Sequence, residues 1–120
     1  STPVYDALIQ PVLKAKCFSC HNEQKAKGGL VMTDVAKLLK GGKNGPVWVA
    51  GDAINSHIIK NINLPLEDED HMPPKGKNQL TDEEIFLLYH WIQLGAELKK
   101  AVKEYDQKDT FTIQAVKFIA

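Results

Sequence analysis

Arginine is absent from this chain of 120 residues: all 15 of the basic residues that balance its 15 acidic ones are lysine. A formally neutral chain without a guanidinium group is poorly suited to nucleic acid, where contacts to phosphate dominate affinity. Long apolar runs are lacking too. Nothing approaches the roughly 18 residues that a membrane-spanning helix needs, so no membrane span is expected. Cysteine occurs only twice, too seldom for a disulfide framework. Strand-like alternation is scarce and no internal repeat is visible. No secretory signal stands at Ser1, so the sequence reads as a cytoplasmic protein, a mature secreted form or a piece cut from something larger. What remains, with 43% hydrophobic and 25% charged residues, is the composition of one globular domain.

The punctuation of the chain is helical. Thr2 is a candidate cap and Pro3 a candidate first position for a helix running to Cys17, with a kink or restart expected at Pro11 and Cys17 to His21 following as a final helical turn. Thr33 and Gly41 read as start and stop of a short helix, and "AINSHIIKNI" as another after Asp52. Leu64 to Gln79 contains three prolines and the acidic run Glu67 to Asp70, which predicts a long structured loop. "LTDEEIFLLYHWIQLGA" carries the strongest local signal. Thr81 and Glu84 suit a capping box, Leu80 and Ile85 a hydrophobic staple, and Gly95 a stop.

Both cysteines lie in "AKCFSCHN". A zinc site needs four protein ligands, commonly two paired sets, and no second pair follows. A redox-active Cys-x-x-Cys belongs in a βαβ surrounding, which the sequence lacks. A local disulfide leaves the histidine unexplained. Covalent attachment of haem uses all three residues: Cys17 and Cys20 add to the two vinyl groups, and His21 becomes the proximal ligand of the iron.

A second axial ligand is available. Met72 sits in "DHMPPKG", ahead of two stiffening prolines, and histidine–methionine ligation is the cytochrome c arrangement. Its bland alternative is an ordinary loop methionine. Met32 suits packing better than ligation. His71 is the serious competitor for the sixth position, while His57 and His90 fall in expected helices, where a surface or half-buried histidine is the ordinary explanation.

These segments together, with "KGGL", "GPVWVAGD", "SHIIKNI", "HMPP" and the Trp-Ile-x-x-Gly-Ala ending, resemble the small cytochrome c domains of the planctomycete-type family over residues 5 to 97. The resemblance implies an all-α, class I cytochrome c fold, with crossed N- and C-terminal helices around a covalently bound haem c. It also implies a carbonyl from a Gly-Pro turn for the proximal imidazole, for which Pro46 is the candidate, and it makes Trp48 a candidate partner of the haem propionates. Thioether attachment takes place outside the cytoplasm, so the resemblance implies a periplasmic or other extracytoplasmic bacterial location.

The expected organisation is a cytochrome c domain over 1–98, followed by a lysine-rich linker and C-terminal extension over 99–120. That extension either docks on the domain or leads to a further one. The expected function is one-electron transfer with His21 and Met72 as axial ligands, no catalytic residues, and a redox protein or fused redox domain as partner. The alternatives are a haem enzyme or gas or peroxide sensor with an exchangeable sixth site, an electron-entry domain of a larger redox enzyme, and a colourless interaction module.

Overall fold

The computed structural model describes residues 2–120; Ser1 lies outside them. The chain is all-helical, with only isolated β-bridges among the described residues. It opens with a widened, π-helical turn, Tyr5–Ile9, that runs directly into α1, Gln10–Lys16. The cause is Pro11. Its nitrogen cannot donate, and its ring crowds the carbonyl one turn back, so the Gln10 N–H reaches five residues back to Tyr5.

Thr2 does not cap this helix. The free Val4 N–H donates instead to the Lys100 carbonyl at 2.9 Å, and Pro3 bridges Ala101. A distant segment therefore does what a local side chain was expected to do, satisfying one of the donors that every helix start leaves open.

The next helix, α2, spans Val35–Lys40, and its cap is Asp34 rather than Thr33: the Asp34 carboxylate accepts from Ala36 and Lys37. The Thr33 hydroxyl is already engaged with Glu23. A 3-10 turn at Ala53–Asn55 leads into α3, His57–Asn63. Residues 64 to 81 contain no helix. The longest helix, α4, Asp82–Gln93, has the capping box that its sequence promised. Thr81 Oγ1 accepts from the Glu84 N–H at 3.1 Å, and Glu84 Oε1 accepts from the Thr81 N–H at 2.8 Å. Gly95, at φ 117°, ends it in a backbone conformation closed to most side chains.

The core is built on α4, which buries Leu87, Leu88, Trp91 and Ile92. Tyr5 and Trp48 pack on the Trp91 ring, at 5.6 and 5.1 Å between centroids. The last helix, α5, Thr110–Ile119, lies against α4 and the Tyr5–Ile9 turn. It contributes Phe111 and Ala115 to the core, and Tyr105 joins them from the segment before it. Among the described residues no helix is long and apolar enough to cross a membrane.

Candidate functional site

The end of α1 sets the geometry of the cysteine motif. Cys17 leaves the helix at φ −126°, and its carbonyl accepts from both the Cys20 and the His21 N–H groups at 3.2 Å. The chain is bent into a tight turn that places His21 after it. His21 is then gripped by the strand-like return: it bridges Ala26, and its carbonyl accepts from the Met32 N–H at 2.8 Å.

The imidazole is fixed as well. His21 Nδ1 lies 3.1 Å from the Lys27 carbonyl oxygen. A carbonyl can only accept, so the hydrogen is on Nδ1 and the lone pair is on Nε2, the form that binds a metal. Burial lowers the basicity of the ring and keeps it neutral, partly opposed by the backbone hydrogen bonds.

The wall beside His21 depends on two glycine-rich turns in contact. The Lys43 N–H donates to the Gly28 carbonyl at 2.7 Å, and a side chain at Gly42 would run into that same carbonyl. Between these turns, the cysteine motif, α3 and the proline loop lies a cleft. Its walls include Cys17, His21, Leu30, Met32, Val47, Ile58 and Met72. The space, including its mouth open to solvent, is about 720 Å³. Residues from five separate stretches thus converge on one largely apolar hollow.

The sequence candidates divide at this point. Cys17, His21, Met72 and Pro46 line the cleft. Cys20 is buried in the same turn but is not among the lining residues. Trp48 is turned into the core against Trp91 and stands behind the wall rather than in it. Pro46 lines the cleft without serving the imidazole, whose carbonyl partner is Lys27. His57, Asn61, Lys27 and Lys43 also line the hollow. The signal for the first two was the helical spacing of His57, Ile58 and Asn61, which share one face of α3.

His71 is placed elsewhere. It is buried, with Nδ1 2.8 Å from the Leu64 carbonyl oxygen and Nε2 2.7 Å from Gln79 Oε1. Both ring nitrogens face oxygens that can only accept, so a neutral ring donates to one of them. Its neighbour Met72, whose N–H donates to the Asn61 carbonyl at 3.1 Å, faces the cleft.

The donor chemistry separates the possible uses of the cysteines. Both are free thiols. Burial, and secondarily the neighbouring Cys20, pushes the Cys17 thiol up to about 12. A redox-active dithiol requires a lowered value, so the pair lacks the activation of a thioredoxin-like site. Among the described residues no three His, Cys, Asp or Glu side chains gather as a metal-ion site, which disfavours structural zinc. An imidazole, a thioether and an adjacent thiol around one apolar cleft fit a haem group.

An all-helical fold with these side chains around one cleft is compatible with a cytochrome c-like domain. A family model described as "Planctomycete cytochrome C" matches residues 17–76, half of the chain, and the chain belongs to that family. No curated protein and no solved structure matches it.

Proposed function

We propose that the protein is a c-type cytochrome that carries single electrons, with haem joined to Cys17 and Cys20 and ligated by His21 and Met72. One observation carries this reading: Cys17, His21 and Met72, drawn from distant parts of the chain, wall a single apolar cleft, whereas both nitrogens of His71 face protein oxygens outside it. Bound there, the group supplies a one-electron iron couple, and methionine ligation favours a higher potential than bis-histidine ligation.

The chain's own residues do the rest. The Lys27 carbonyl orients the imidazole and strengthens Nε2 as a donor. Leu30, Met32, Val47 and Ile58 exclude water from the cleft. Lys27 and Lys43 are the lysines among its lining residues, and in a chain without arginine they are the natural partners for carboxylates of the bound group. Trp48 supports Val47 from the core side. No residue is asked to move a proton, so the protein acts as a carrier rather than an enzyme, with a redox protein or fused redox domain as its partner. Thioether attachment places it in an extracytoplasmic bacterial compartment. Residues 99–120 are read as an extension docked on the 1–98 domain, which the burial of Tyr105, Phe111 and Ala115 supports.

Optical spectra test the ligation. The ferric protein should show the weak far-red band of sulfur–iron ligation. Met72→Ala should abolish it and His71→Ala retain it. The opposite pattern assigns the sixth position to His71 and refutes the proposal.

A further inference from the structure

Resting on that ligation reading, we infer that His71 and Gln79 form a clamp that positions Met72 and sets how readily its sulfur yields the sixth site to an outside ligand. The loop that carries Met72 is held by its own side chains rather than by a helix. Residues 64 to 81 have no helix, and Pro73 and Pro74, directly after the methionine, have no N–H to donate. The backbone groups of such a loop must find other partners.

Gln79 supplies them. Its side-chain nitrogen lies 3.0 Å from the Pro73 carbonyl oxygen, 3.1 Å from that of Pro74 and 3.2 Å from that of Lys77. With the amide nitrogen turned toward three carbonyls, Oε1 is left facing His71 Nε2. The other side of that imidazole reaches the Leu64 carbonyl. One histidine therefore closes the neck of the loop, and one glutamine ties down the stretch beyond the methionine. Met72 is held between them.

The knot also reaches the opposite wall of the cleft. Lys16 directly precedes Cys17, and its ammonium donates to the Gln79 carbonyl at 3.0 Å while lying 3.7 Å from Glu84 Oε1. The turn that presents His21 and the loop that presents Met72 are thereby fastened to each other and to the start of α4. His71 and Gln79 touch neither the imidazole nor the cleft. They act through Met72 and are positioning residues.

An outside ligand that competes with Met72 binds only the open-loop form, so its apparent affinity scales with the population of that form. Removing several hydrogen bonds from the clamp raises that population by about tenfold or more. The test is a titration of the ferric holoprotein with imidazole, followed by loss of the far-red band. Gln79→Ala and His71→Ala should each keep the band before titration and reach half-displacement at about one tenth of the wild-type imidazole concentration. Lys16→Met, which cuts only the tie to α1, should give a smaller change in the same direction. Phe111→Leu loosens the distant α5 packing and should leave the midpoint in place. Deuterium exchange at the Met72 N–H should quicken in the two clamp variants and not in Phe111→Leu.

Midpoints within twofold of wild type in the variants that fold would overturn the clamp, as would an equal shift in Phe111→Leu. In either case the wild-type band remains and the ligation reading stands. A wild type without that band overturns ligation by Met72, and the clamp's role with it.

Discussion

Phe111→Ala measures whether residues beyond 98 belong to the domain that holds the site. The ring is 1% exposed and stacks 5.4 Å from Tyr105. A fully buried phenylalanine removes on the order of 200 Å² from water, worth about 5 kcal/mol at 25 cal/mol per Å². Truncation to Cβ forfeits most of that and leaves a cavity, so a loss of about 3–4 kcal/mol is expected. A domain of this size has roughly 6–18 kcal/mol to lose, so the variant should remain folded but melt well below the parent, by about 10–15 °C. Ile113→Ala on the same helix is the control. Its side chain is 43% exposed, and its loss should stay below about 1 kcal/mol. Urea unfolding of the holoprotein, followed by circular dichroism, gives both values. If Phe111→Ala costs less than about 1 kcal/mol, or no more than Ile113→Ala, the C-terminal segment is not docked and the argument from burial fails.

Thr81→Ala removes the hydroxyl that accepts from the Glu84 N–H and should cost about 1 kcal/mol, read as a lower urea midpoint at an unchanged slope. Burial, and secondarily the Glu97 charge, pushes the Tyr105 hydroxyl up to about 12 from its usual 10. The folded state thus holds that proton after the unfolded chain has lost it, so stability should be intact below pH 10 and fall as pH rises toward 12. Tyr105→Phe should flatten this part of the unfolding-versus-pH curve.

The parts of the molecule that were legible in the sequence are those written in consecutive residues. The capping box of α4 and its stop at Gly95 follow from local spacing, whereas Cys17 to His21 forms a non-helical turn rather than a last turn of helix. Pro11 disturbs its helix where expected, although the result is a widened turn rather than a break. The features that escaped are contacts between distant segments. The helix start is tied to Lys100 instead of Thr2. Asp34 replaces Thr33 as a cap because the threonine is drawn to Glu23. The imidazole takes its carbonyl from Lys27, since the turn at Asn22 to Lys25 folds the chain back within reach, and Pro46 comes no nearer than the wall of the same cleft. Trp48 is apolar and large, and no local pattern says whether such a ring faces a cofactor or another tryptophan. The sequence also left His71 and Met72 as rivals, because adjacent residues in an irregular loop have no periodicity to separate them. Only the positions of Leu64 and Gln79 decide which of the two turns inward.

The central claim is covalent attachment of haem at Cys17 and Cys20, and intact mass spectrometry reads it most directly. After expression in a bacterial host that can attach c-type haem, the denatured polypeptide should carry the mass of one haem, and Cys17→Ala/Cys20→Ala should carry none. A wild-type chain that emerges at its bare polypeptide mass, or that releases its haem into acidified organic solvent, contradicts the account.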